Sequence, residues 1–247
     1  LDEFIVNEIK EGIQSQPRYL WFLTMTYVIV LLFANWFDPR LVSIFGLVTD
    51  AGTLIFPVTF LLADVITEVY GYKCARLAIW LGFLFNVFFI LYGQLVVYLP
   101  SPAYATNNVL FAKILALDLR VIVASIISYI CAEPLNSFIM AKLKIVMQGK
   151  LLWMRFVTST FIAAIVDSMI FGFIAFYGVL SINHLFYLIF SMWLIKVIIE
   201  VLGLPISIYL ARKLKAVEKI DIYDINTNFN LFKLEVSYNK AANKYNN

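Results

Sequence analysis

The chain has 247 residues, of which 62% are hydrophobic, 17% aromatic and only 14% charged, with a mean hydropathy of +0.87. That balance excludes a water-soluble domain, whose surface needs far more charge, and indicates a polytopic membrane protein. The formal net charge of +3 supplies no basic stripe on a soluble face, so nucleic-acid binding is excluded as well.

Residues 1–18 are polar and carry Asp2, Glu3, Glu8 and Glu11. They read as a cytoplasmic segment without a cleavable signal peptide. Six apolar runs follow, at 19–37, 42–69, 76–99, 113–141, 156–177 and 184–211. A hydrocarbon core of about 30 Å takes roughly 20 apolar residues per helix. Lipid offers the backbone no partner, so each run is predicted to be helical. Pro57 lies inside the second run and is expected to kink it. The links at Asp38-Pro39-Arg40, Gly71-Tyr72-Lys73, Pro100 to Asn108, Lys142 to Lys150 and Gly178 to Asn183 are short, which implies antiparallel neighbours in one all-α bundle. Residues 19–211 are thus expected to form a six-helix transmembrane domain, and residues 212–247 a polar cytoplasmic tail, read as a solvated extension.

Lys and Arg set the orientation, because cytoplasmic loops retain positive charge. One side holds Lys10, Arg18, Lys73, Arg76, Lys142, Lys144, Lys150, Arg155, Arg212, Lys213, Lys215 and Lys219, the other only Arg40 and Lys113. Both termini are therefore expected in the cytoplasm. Trp21, Trp36, Tyr98 and Trp153 read as an interfacial belt, and His184 as an interfacial polar residue. Cys74 falls in a predicted turn and Cys131 in a span, so neither a disulfide nor metal-ligand spacing is expected.

Acids inside the spans need an explanation. Asp50, Thr53, Pro57, Asp64 and Glu68 fall on one helical stripe. The fourth span aligns Ser125, Tyr129, Glu133, Asn136 and Met140, the fifth Thr160, Asp167 and Phe171, and the sixth Trp193, Lys196, Glu200, Gly203 and Ser207. A charge at the bilayer centre costs about 2.5–3.5 kcal/mol on insertion scales, so these faces must turn inward. One reading is interhelical glue, with Lys196 paired to Glu200 or Asp167, and Asp64 and Glu68 to Lys73 or Arg76. Charge balance argues against glue alone: Asp64, Glu68, Glu133, Asp167 and Glu200 face a single deep base, Lys196, while Arg120 lies nearer the outer end. An acid-rich cavity lined with aromatics suits the N–H edge of a guanine-type base, an organic cation, or a proton-coupled cycle.

The stretches "FPVTFLLADVITEVYGYKCARLAIWLGF", "LWMRFVTSTFIAAIVDSMIFGFIAFYG" and "WLIKVIIEVLGLPISIYLARKLKAVEKIDIYDINTNF" resemble the queuosine precursor transporter family, also called the vitamin uptake transporter family. The resemblance implies a bundle of about six helices, related in shape to the substrate-binding subunits of energy-coupling-factor transporters. It implies import of queuine or its cyano and aminomethyl 7-deazaguanine precursors across a bacterial inner membrane. By the matching motifs it points to Asp64 and Glu68, to Asp167, and to Lys196 and Glu200 as substrate-binding. Glu133 and Asn136 in "CAEPLNSFIM" stand where the family carries polar residues of varying type, and Phe60 and Phe171 are candidates for stacking. No cofactor is expected. The partners are the base and the bilayer, with a second copy and a separate ATPase module as further candidates. A binding subunit served by such an ATPase, or a carrier of another nucleobase-like or vitamin-like solute, stays open, since no Walker motif lies in the chain. An enzyme is disfavoured, because no Ser/His/Asp set, metal pair or phosphate loop is present.

Overall fold

Six helices long and apolar enough to cross a membrane follow one another in the computed structural model, which describes residues 17–38, 40–102, 104–105, 107–115 and 119–246. Lys10, most of the N-terminal segment 1–18, and Pro39 of the first link lie outside the described residues. The long helices are α1 (Leu20–Phe37), α2 (Pro57–Tyr70), α3 (Tyr72–Tyr98), α5 (Leu119–Val146), α6 (Leu152–Phe176) and α7 (Ile182–Glu218), with a short α4 (Asn108–Leu115) before α5. At about 1.5 Å per residue, α7 is about 55 Å long. That exceeds a hydrocarbon core of about 30 Å, so its last turns, with Arg212, Lys213 and Lys215, project beyond it.

The second predicted span needs correction. Its first third is a β-hairpin, β1 (Leu41–Ile44) and β2 (Leu47–Asp50), with Leu41 opposite Asp50 and Ile44 opposite Leu47. The two-residue turn places Phe45 at φ 51° and Gly46 at φ 85°, the positive-φ pair that matches strand twist. A 3₁₀ turn (Gly52–Leu54) leads into α2. Pro57 stands in the first turn of α2, where its missing N–H costs nothing, so it starts a helix instead of kinking one. The fourth predicted span likewise begins too early, since Asn108–Leu115 is a separate helix.

Helix α2 packs against α1, α3, α5, α6 and α7, and α5 pairs most extensively with α6. The central position of α2 explains why nearly all of its side chains are buried, Asp64 and Glu68 included. Trp21, Trp36, Tyr98 and Trp153 are exposed. His184 sits at the surface with Nδ1 2.8 Å from Ser181 Oγ. Cys74 and Cys131 are both free, but Cys74 lies buried within α3 instead of in a turn.

The C-terminal tail is no solvated extension. Ile222 N–H donates to the carbonyl of Val69 at 3.1 Å. Arg76 donates to the carbonyls of Asn228, Asn230 and Glu235 at 3.1, 2.7 and 2.9 Å. Trp80 Nε1 donates to that of Leu231 at 2.8 Å. Asp224 accepts from Tyr72 N–H at 3.0 Å and from Tyr238 Oη at 2.6 Å. Ile220, Ile222 and Tyr238 join the apolar core beneath. The tail thus covers the end of the bundle where α2 turns into α3, called here the basic end; the opposite end carries the hairpin.

Gly71 makes that turn possible. Its φ of 84° and ψ of 168° belong to a region essentially restricted to glycine. A Cβ there would lie 2.5 Å from Tyr238 Oη and 2.8 Å from Ile222 Cγ2. Gly71→Ala is therefore expected to cost at least about 1–3 kcal/mol and to expose the tail to protease, read as accelerated C-terminal nicking and a lowered unfolding temperature. Parent-like protection would show that the tail is not seated on Gly71.

Candidate functional site

The faces read from helical spacing do turn inward, and they divide the interior by depth. At the basic end, Glu68 is the hub. Arg155, fully buried, approaches its carboxylate with both terminal nitrogens, one of them at 3.0 Å. Lys215 Nζ bonds Glu68 at 2.5 Å and Asp221 at 2.7 Å. Lys144 Nζ joins the backbone carbonyl of Glu68 at 2.5 Å, Asp221 Oδ1 at 2.7 Å and the carbonyl of Ile222 at 2.6 Å. Lys73 and Arg76, the partners expected for Asp64 and Glu68, go to the tail instead. Glu68 is thus separated from the other candidate residues.

The middle layer holds Asp64, Glu133 and Glu200, each at most 1% exposed. Asp64 accepts from Asn136 Nδ2 at 2.7 Å and from Ser159 Oγ at 3.2 Å. Glu133 Oε1 lies 2.5 Å from Thr59 Oγ1. Glu133 Oε2 and both oxygens of Glu200 have no hydrogen-bond partner. Phe60, fully buried, packs beside this layer with Ala132, Ala163 and Ala164. The Lys196–Glu200 pairing is not formed.

Toward the hairpin end, Lys196 Nζ bonds Asp167 Oδ2 and lies 3.4 Å from Ser168 Oγ. It also sits 5.2 Å from the centre of the Phe56 ring. A cavity of about 30 Å³ opens there, lined by Asn35 and Asp38 from the end of α1, Asp50 and Thr53 after the hairpin, Phe56, Ser125 and Ser128 of α5, Asp167 and Phe171 of α6, and Met192 and Lys196 of α7. Asp50 accepts from the N–H and the hydroxyl of Thr53, both at 2.7 Å, which anchors β2 to the turn before α2. Asn35 Oδ1 accepts from Ser125 Oγ at 2.6 Å, tying α1 to α5.

Of the residues singled out from sequence, Asp167, Lys196 and Phe171 meet at the cavity, Asp64, Glu133, Asn136 and Glu200 meet below it, and Phe60 packs alongside. Asp38 was missed because it read as part of a link. Arg155 and Lys215 were counted only as loop charges. Asp38 rests on Gly52 so closely that a Cβ at Gly52 would fall 1.8 Å from its Oδ1. Asp38 is half-buried, and the loss of solvent around its carboxyl, then the Asp50 carboxylate beside it, raises its pKa well above the ordinary value, with Lys196 acting in the other direction.

Residues 50–210 match the family model described as "Putative vitamin uptake transporter". A relative from Bacillus subtilis (strain 168), described as "Probable queuosine precursor transporter", is 27% identical over 218 residues, covering 79% of this chain and 94% of its own. No solved structure matches.

The folded chain binds the Asp38 proton more tightly than the unfolded chain does. Stability therefore falls as pH rises from the ordinary carboxylate value, about 3.9, through the raised one. Asp38→Asn is expected to match the parent near about pH 4 and to unfold at progressively higher temperature than the parent as pH increases. Parallel curves of unfolding temperature against pH would show that Asp38 does not titrate in this way.

Proposed function

The chain belongs to the vitamin uptake transporter family, and on that premise we propose that it imports a 7-deazaguanine precursor of queuosine across a bacterial inner membrane. It is a multi-pass membrane transporter and not an enzyme. The observation that carries the substrate reading is the Lys196–Asp167 pair beside a polar cavity flanked by Phe56 and Phe171. A guanine-type base presents a carbonyl oxygen next to an N–H and an amino group. Lys196 donates to the first, Asp167 accepts from the other two, and the phenyl groups cover the ring faces. The Bacillus subtilis relative, a probable queuosine precursor transporter, supports that reading.

A cavity of about 30 Å³ holds a water molecule or two. Loading a bicyclic base therefore requires its walls to part. The basic end faces the cytoplasm in this reading, with both termini and the tail, because Lys and Arg are concentrated there. The hairpin end then faces outward and admits the base.

Orientation is checked by an impermeant thiol reagent applied to intact cells. A cysteine at the exposed Asn107 is expected to react and one at the exposed Lys150 to be protected; the reverse would invert the assignment. The substrate reading is checked with purified protein in vesicles and labelled 7-cyano-7-deazaguanine, without ATP. Asp167→Asn is expected to remove an interaction worth about 1.5–3 kcal/mol, about 10- to 150-fold in affinity. Lys196→Met alone leaves Asp167 buried without its cation, at about 3–5 kcal/mol of stability. The pair Lys196→Met with Asp167→Asn is expected to restore folding but not uptake. Uptake by the double variant would make the pair purely structural, and a requirement for an added ATPase would return the chain to the class of binding subunits.

A further inference from the structure

The middle layer has more carboxyl groups than the structure can pair. Asp64, Glu133 and Glu200 come from α2, α5 and α7 and are buried to within 1%. Asp64 and Glu133 each lie within the electrostatic field of Glu200. Among the described residues, the cations nearest to them are engaged elsewhere. Lys196 is bound to Asp167 above, and Arg155 and Lys215 are bound to Glu68 below. The remaining neighbours are uncharged: Asn136, Ser159 and Thr160 around Asp64 and Glu200, and Tyr27, Tyr129 and Thr59 around Glu133.

Two further observations point to the ligand. Glu133 Oε2 and both Glu200 oxygens are buried with no donor at hydrogen-bonding geometry, and the hydroxyls nearest them are those of Tyr27 and Thr160, the situation in which a missing donor costs most. The second concerns Thr59. Its hydroxyl lies 2.7 Å from the carbonyl of Phe56 and 2.5 Å from Glu133 Oε1. It has a single proton to give. When that proton goes to the Phe56 carbonyl, the contact with Glu133 persists only if the glutamic acid is the donor. No group of three or more His, Cys, Asp or Glu among the described residues is placed to hold a metal ion.

We propose that Asp64, Glu133 and Glu200 form a proton-carrying site that couples uptake to a proton gradient. The coupling rests on the transport reading above; the presence of the proton does not. Glu133 is the junction, because it also lies in the field of Asp167 and Lys196 at the cavity. When the base binds between Asp167 and Lys196, the charges facing Glu133 rearrange, and proton occupancy below changes with base occupancy above.

Infrared spectroscopy of the purified protein in lipid tests the site without any substrate. Asp38→Asn is the background, because Asp38 also holds its proton to raised pH. At neutral pH this variant is expected to show the carbonyl stretch of a protonated carboxylic acid, shifted in heavy water, and adding Glu200→Gln or Glu133→Gln should diminish it. Absence of the band in the background variant, or its undiminished persistence in both glutamine variants, overturns the proposal. Coupling is read in vesicles as lumen acidification per labelled 7-cyano-7-deazaguanine moved, a ratio expected to fall several-fold in Glu200→Gln. An unchanged ratio, or accumulation driven by sodium alone, overturns the coupling. Failure of the parent to move this base while the carboxylic band is present refutes the substrate reading and leaves the proton site standing.

Discussion

An ionised carboxylate in hydrocarbon must find a cation or give up its charge, and this bundle meets that constraint differently at each depth. At the basic end Glu68 and Asp221 share Arg155, Lys144 and Lys215, so cations are sufficient. At the hairpin end a single ammonium, Lys196, serves a cavity bordered by Asp38, Asp50 and Asp167. Between them Asp64 and Glu133 are in hydrogen-bonding company with hydroxyls and an amide, and neither they nor Glu200 form an ion pair among the described residues. The layer poorest in positive charge is therefore the one most dependent on protons or on a ligand's donors.

How much of this could be read from sequence depends on the range of the interactions involved. The inward faces of α5, α6 and α7 were legible because 3.6-residue periodicity is local and polar residues in an apolar span have few places to go. The hairpin was not. Leu41 to Asp50 is apolar and β-branched enough to merge with the following helix in any hydropathy reading, and its turn is only Phe45 and Gly46. The stripe that seemed to run from Asp50 to Glu68 is two pieces, and Asp50 reaches the interior from a strand end.

The tail was illegible for the opposite reason. Its composition is that of a disordered segment, and little within it dictates a conformation. Order comes from side chains far away in sequence: Arg76 and Trp80 donate to tail carbonyls about 150 residues on, and Lys144 fastens Asp221 and Ile222. Charged donors to backbone carbonyls are among the stronger hydrogen bonds, and here they substitute for regular secondary structure. The same reasoning relocates Glu68. From sequence it was one more acid on the α2 stripe, whereas its partners Arg155 and Lys215 make it the point at which α2, α6, α7 and the tail are joined.

The two ends of the bundle consequently differ as barriers. At the hairpin end the turn is held by Tyr187 Oη donating to the Gly46 carbonyl at 2.6 Å, in exposed surroundings, where water can replace the bond at a net cost of about 0.5–1.5 kcal/mol. At the basic end, separating α6 or α7 from α2 breaks Glu68 away from Arg155 or Lys215, and uncoupling one partner of a buried pair costs about 3–5 kcal/mol. Because Lys144 and Lys215 both hold Asp221 as well, the tail resists the same separation. Access from the basic end must then either keep Glu68 and its cations together, with the helices pivoting about that hub, or supply water and counter-charge as they part. The cavity's small volume and the weakness of the hairpin contacts favour the first step of any cycle at the opposite end.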